Sequence, residues 1–166
     1  WLIIIIFLKL KIILLNLYPM DCELKKVKAN KLLSIRAEVL RNNTEIKNCN
    51  FKGDNDDESI HIGAYKNNNL IGGVSLFKRK TEHKNLKKSY QLRGMCVLGI
   101  YQNKGLGEKM LDKIEKLCML HGGLNIWMNS RKKAVNFYLK SNYIDSGISY
   151  NIEGIGIHNF LYKRLK

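Results

Sequence analysis

Six consecutive residues, Gln102-Asn103-Lys104-Gly105-Leu106-Gly107, are the ones best suited to chemistry, and they lie between an apolar segment and a run of helical periodicity. Glycine lets a backbone turn tightly and lets a ligand approach it closely. Where such a turn opens a helix, the first N–H groups have no intrahelical partner, and the positive end of the helix dipole lies behind them. That combination holds a pyrophosphate without any charged side chain. Gly105 and Gly107 are too few for the GxGxxG dinucleotide pattern, and no Gly-Lys-Ser/Thr follows as in a nucleotide P-loop. Taken alone, the turn fits anion binding and a plain strand-to-helix connection equally well.

Other reactive side chains form no constellation. Cys22, Cys49, Cys96 and Cys118 include no C-x-x-C pair, and His61, His83, His121 and His158 do not fall at zinc-finger spacing, so no metal is expected. Dispersed cysteines without a recognisable signal sequence point to a reducing, cytoplasmic setting with free thiols. The run from Gly53 to Ser59, Gly-Asp-Asn-Asp-Asp-Glu-Ser, lacks the twelve-residue calcium-loop pattern and reads as a solvated loop.

The scaffold for these residues follows from hydrophobic spacing. Cys22–Lys28 alternates loosely and suits a short first strand. Asn30 is placed to cap a helix running through Arg41, with Leu32, Leu33, Arg36, Val39 and Leu40 on its partly apolar face. After the polar stretch Asn42–Ser59, Ile60–Tyr65 and Leu70–Phe77 read as a hairpin whose linking asparagines tolerate positive φ. A charged loop, Arg79–Ser89, leads to a central strand over Tyr90–Leu98. Leu106, Met110, Leu111, Ile114, Leu117 and Cys118 recur at 3.6-residue spacing and predict an amphipathic helix ending at Gly122–Gly123. Leu124–Met128 is an apolar-rich run suited to a buried parallel strand. A helix over Ala134–Leu139 and strands over Tyr143–Ile152 and His158–Leu165 follow. The order β-α-β-β-β-α-β-α-β-β predicts one mixed sheet with helices on its faces.

The chain of 166 residues is long enough for one self-sufficient core, and 45% hydrophobic with 26% charged residues is ordinary globular composition. Its net charge of +15 would attract a polyanion. The 29 basic residues are mostly lysine and are spread along the chain without a nucleic-acid reading motif, so no specific nucleic-acid partner is expected. Residues 1–19 stand apart as an apolar segment. Lys9 and Lys11 sit at its middle, where each would cost about 2.5–3.5 kcal/mol in a bilayer, and it lacks the basic leader of a signal peptide. The expectation is that Met20 is the native start, residues 20–166 are the domain, and the preceding segment is non-native translated upstream sequence or an extension; a membrane anchor or an added structural element are the other readings.

Together, four ordered segments bring out a resemblance. Arg93–Val97 (RGMCV), the Q-N-K-G-L-G turn, the strand LNIWMN ending in Asn129, and Ala134–Ile144 (AVNFYLKSNYI) resemble the GNAT superfamily of acetyl-CoA-dependent N-acetyltransferases. The last is similar to the family's A-x-x-F-Y-x-x-x-G-F signature, with Asn142 and Tyr143 in place of Gly and Phe. Asparagine is the next-best residue for a left-handed helix terminus. IEGIGIHNF, near the end, resembles the small ElaA-like bacterial branch more loosely.

The resemblance implies an α/β fold with a single mixed, mostly antiparallel central sheet flanked by helices, and acetyl-CoA as co-substrate without a metal. It implies that the strand carrying Met95, Cys96 and Val97 splays from its neighbour and offers backbone groups to the pantetheine amides. Gln102, Asn103, Lys104, Gly105, Leu106 and Gly107 would hold the pyrophosphate, Asn129 the pantetheine arm, and Tyr138 would protonate the departing thiolate. Phe137 is expected to pack. The acceptor would be a primary amine of a small molecule or peptide, attacking the thioester directly in a ternary complex. A lysine-type ammonium has pKa about 10.4, so a base is useful, and His158, His61 and Glu153 are candidates, with His158 favoured. The alternatives are a non-catalytic acyl-CoA-binding module and, further off, a basic nucleic-acid-binding protein. A homodimer is left open.

Overall fold

Strands β2 (Ile60–Lys66) and β3 (Asn69–Lys78) are buried on both sides, and that sets the layering. On one face Ile60, Ile62, Ala64, Val74 and Leu76 join a core cluster with residues of α2 (Leu106–Leu120) and with Tyr138 of α3 (Val135–Lys140). On the other, His61, Ser75 and Phe77 are buried together with Leu32, Ile35 and Arg36 from α1 (Leu33–Leu40) and the 3-10 turn Ala29–Leu32 before it. Gly72 and Gly73 mark the two approaches: a Cβ at Gly72 would lie 3.2 Å from Met110 of α2, and one at Gly73 would lie 2.9 Å from Leu32. Adjacent glycines thus let helices press on both faces of one strand.

The computed structural model describes residues 20–42 and 44–166, and the expectations for residues 1–19 lie outside the described residues. Its remaining strands are β1 (Glu23–Lys26), β4 (Ser89–Val97), β5 (Asn125–Arg131), β6 (Ile144–Ile152) and β7 (Gly156–Arg164). They form one seven-stranded sheet in the order β1-β2-β3-β4-β5-β7-β6, in which β4 and β5 are parallel and the other neighbours antiparallel. The mixed sheet predicted from the element order, mostly antiparallel as the family resemblance implies, is the sheet observed. The β2–β3 turn uses Asn67 and Asn68 at φ 49° and 63°, the left-handed pair that a two-residue hairpin demands. Among the described residues no helix is long and apolar enough to cross a membrane.

Three local expectations change. Asn30 is not an N-cap but lies inside the 3-10 turn that leads into α1, whose buried residues are Ile35, Arg36 and Ala37 rather than Leu33, Val39 and Leu40. Leu124 stays exposed, β5 begins at Asn125, and only three of its residues pair with β4. The acidic run is not wholly solvated, because Asp54 is buried. Its carboxylate accepts from both terminal nitrogens of Arg36, at 2.6 and 3.0 Å, and from the Phe51 N–H at 2.8 Å. Burying a guanidinium without such a partner would be prohibitive, so the loop is drawn in to supply one.

His61 completes this network on β2. Its Nε2 faces the Asp54 carbonyl at 2.9 Å and its Nδ1 faces Ser75 Oγ at 2.8 Å, while Ser75 Oγ accepts from Arg36 Nη2 at 2.8 Å. A carbonyl only accepts, so Nε2 carries the proton and Nδ1 accepts from the serine hydroxyl. The neutral ring is the one that fits, and burial holds its pKa below 6.5. Protons then bind the unfolded chain more readily than the folded one. The stability His61 contributes is complete above about pH 6.5 and is lost as pH falls from there through the lowered value. Urea unfolding at pH 7.5 and 5.5 is expected to give a lower midpoint at the acid end, and His61→Gln should flatten that difference. An unchanged pH dependence in the variant would assign it to other groups.

Candidate active site

The sheet opens where β4 and β5 part. Their pairing covers Ser89–Asn125, Tyr90–Ile126 and Gln91–Trp127 and goes no further, although β5 continues to Arg131 alongside β7. The departure has a local cause. Gly94 sits at φ 64°, and the β3–β4 register slips there, so that Val74 opposes both Gly94 and Met95. Such a bulge bends its strand and increases its twist. A side chain at Gly94 is excluded twice, by that φ and by the Phe51 ring, 2.7 Å from where a Cβ would stand.

The gap between the two strands is part of a cleft of about 590 Å³. Met95, Cys96 and Val97 line it from β4, Asn129 from β5, Tyr138 from α3 and His158 from β7. Gln102, Asn103, Gly105 and Gly107 line it from the turn, whereas Lys104 and Leu106 do not. Leu106 is buried in the core below α2, and the Lys104 ammonium lies in solvent 5.9 Å from the centre of the Tyr101 ring. The sequence assigned six turn residues as one unit; the chain divides them, because the helix that begins at Leu106 must bury that residue's side chain.

Turn geometry suits an anion. Asn103 and Gly105 adopt φ 58° and 76°, and no side chain caps α2, so the N–H groups of its first turn remain available. The Gln102 N–H is already bonded to the Gly99 carbonyl, and its side-chain amide donates to the Val97 carbonyl at 2.9 Å, which ties the turn to the end of β4. Gly107 has a second reason to lack a side chain: a Cβ there would stand 2.9 Å from the Phe137 ring. Phe137 packs, as expected, and what it packs on is the entrance to α2.

Asn129 Oδ1 is buried and has no hydrogen-bond partner among the described residues, so the cleft wall holds an unsatisfied acceptor where an amide N–H would be accommodated. Cys96 lines the cleft by its position on the strand, but its thiol turns inward to the Gly73 carbonyl at 3.7 Å, and burial pushes its pKa up to about 12. It is no nucleophile. Tyr138 is 6% exposed, packed edge-on against Phe137 and Tyr143, and burial raises its pKa well above 10, so the hydroxyl keeps its proton at neutral pH. Nδ1 of His158 lies 2.8 Å from the Gly156 carbonyl, which requires the proton on Nδ1 and leaves the lone pair of the neutral ring on Nε2. The other two candidate bases lie elsewhere: His61 is locked in the Arg36–Asp54 network, and Glu153 is exposed at the β6–β7 tip. Asn142 ends α3 at φ 63°, so an asparagine fills the left-handed position there.

Sequence reasoning missed the arginines. Arg41 at the end of α1, Arg93 on β4 and Arg131 at the end of β5 all line the cleft, together with Val39, Leu40 and Phe51. No periodic pattern flags them, because three separate elements bring them together.

A model of the Acetyltransferase (GNAT) family matches residues 30–143. An uncharacterized N-acetyltransferase of Bacillus subtilis (strain 168), YitI, is 28% identical over 144 residues, 87% of this chain and 97% of the relative. Among solved structures, Escherichia coli ElaA superposes with a TM-score of 0.64 at 17% identity, covering 87% of this chain and all of its own. An aminoglycoside 6'-N-acetyltransferase complexed with coenzyme A superposes with a TM-score of 0.66 at 14% identity, covering 87% of this chain and 97% of its own. Both likenesses concern the fold. The parted strands, the glycine turn and the family match over well more than half the sequence lead to one assignment: the chain belongs to the GNAT family of acetyltransferases.

Proposed function

We propose that this protein transfers the acetyl group of acetyl-CoA to a primary amine of a small molecule or peptide, by direct attack in a ternary complex. The observation that supports this best is the cleft opened by the Gly94 bulge, with an unpartnered Asn129 Oδ1 in its wall and the uncapped start of α2 on its border. Acetyl-CoA, when bound, supplies the thioester acyl group. The N–H groups from Asn103 to Gly107 would bind its pyrophosphate. The free backbone edge of Met95–Val97 would orient the pantetheine arm as an added strand does, with Asn129 accepting from one of its amides. Tyr138 would hold its proton for the sulfur that leaves. His158 Nε2 would take the proton that an ammonium must lose before it can attack.

Amine-dependent release of free thiol from acetyl-CoA, matched by acetylated amine, is the expected behaviour. Saturable acetyl-CoA binding without transfer to any of a broad panel of primary amines would instead identify a non-catalytic acyl-CoA-binding module.

A further inference from the structure

We propose that the acceptor amine carries an anionic group, a carboxylate or a phosphate, received by Arg41, Arg93 and Arg131. The inference rests on the N-acetyltransfer reading above and names the class of its second substrate. The cleft adjoins a second cavity of about 400 Å³, and the two share Leu40, Arg41, Arg131 and Ile155. No residue of the glycine turn lines that second cavity, so Arg41 and Arg131, which do, stand on a side of the cleft apart from the proposed pyrophosphate-binding residues, while Arg93 lines the cleft itself.

No carboxylate pairs with the charge on this side. All 14 acidic residues lie in the described part of the chain, and among the described residues none forms an ion pair with Arg41, Arg93 or Arg131. Glu108 alone among acidic residues lines either cavity, and it stands in the first turn of α2. Two of the three guanidiniums are held in place. Arg131 donates to the Leu40 carbonyl at 2.6 Å, and Arg93 lies over the Phe51 ring at 4.5 Å. Burial, and after it the charge of neighbouring arginines that include Arg41, lowers the pKa of both Arg93 and Arg131, and the Asp54 carboxylate opposes this only in part at Arg93. Positioned, partly desolvated guanidiniums that repel one another gain most from an oxyanion, which they can grip in a bidentate fork. A polycationic acceptor meets the same field as repulsion.

The test uses the full chain with saturating acetyl-CoA and matched acceptors: L-alanine against L-alaninamide, phosphoethanolamine against ethanolamine, and spermidine as the polycation. At least one anionic member is expected to exceed its partner, and spermidine, by about tenfold or more in kcat/KM. The two pairs separate a carboxylate from a phosphate. Arg41→Gln should then raise the KM for that acceptor about tenfold with little change in kcat, while calorimetry finds the acetyl-CoA affinity unchanged. The proposal is overturned if the amide, ethanolamine or spermidine is preferred, or if acetyl-CoA binds and none of the five is acetylated. It is equally overturned if Arg41→Gln weakens acetyl-CoA, since the arginine would then serve the co-substrate. Failure of acetyl-CoA to bind at all strikes the parent reading instead.

Discussion

Tyr138→Phe is expected to lower kcat by about 10²-fold or more, the range for loss of a positioned proton donor, while leaving acetyl-CoA affinity nearly unchanged. The substitution removes one oxygen from a ring that is 6% exposed and keeps the edge-on contacts with Phe137 and Tyr143, so the fold should not change. The raised pKa bears on the role. A hydroxyl kept neutral by burial cannot act as a base near pH 7, but it can donate. Loss of the donor should therefore appear in kcat and not in binding, and it should be relieved when the leaving thiolate is made less basic. A Phe variant that turns over at the wild-type rate would take Tyr138 out of the mechanism.

Gly107 carries the other large effect. An aspartate there would set a carboxylate beside the proposed pyrophosphate site, and like charges about 4 Å apart repel by about 4 kcal/mol at an effective dielectric of about 20. Acetyl-CoA affinity should fall at least about a hundredfold. Any Cβ at this position also meets the Phe137 ring at 2.9 Å, so packing must be separated from charge. Gly107→Ala alone should cost about 1–3 kcal/mol of stability through overpacking, and Phe137→Leu in the same chain should recover much of it. Against that relieved background, aspartate and alanine differ in charge more than in fit. Equal acetyl-CoA affinities for the two double variants would remove position 107 from the pyrophosphate site.

The contact between Phe137 and Gly107 also joins the two halves of the proposed machinery. The residue before Tyr138 is the one that fits over the start of α2, so the proposed proton donor and the proposed anion-binding turn share a packing contact. A side chain at Gly107 would therefore disturb Tyr138 as well as the turn.

What could be read from the sequence was mostly local. The six apolar positions from Leu106 to Cys118 define α2 because a helix repeats its buried face every few residues, and five of them are buried. The asparagine turn between β2 and β3 was legible for the same reason, φ being a property of one residue and its neighbours, whereas the left-handed Asn142 was reached through the family signature whose glycine it replaces. Arg36 was not legible in this way. It sits on the helix face that looked only partly apolar, and its burial depends on Asp54, which is 18 residues away. The same distance hid the fate of the acidic run, because nothing in Gly53–Ser59 announces that one of its carboxylates will meet a guanidinium inside the sheet. The parting of β4 from β5 was reached through a family resemblance, while its cause, a glycine at positive φ opposite Val74, stood in the Arg93–Val97 segment unread. Arg41, Arg93 and Arg131 escaped notice because their meeting is a product of topology.

Calorimetric titration of the protein with acetyl-CoA, beside inorganic phosphate as a charge control, tests the central claim most directly. The Debye length at about 0.3 M salt lies between about 3 and 8 Å, short enough to remove the diffuse attraction of a chain of net charge +15. The cleft predicts saturable, micromolar, one-to-one binding of acetyl-CoA that persists at that salt, with phosphate far weaker. No binding, or binding that fades with salt as that of phosphate does, would contradict a preformed acetyl-CoA site between β4 and β5.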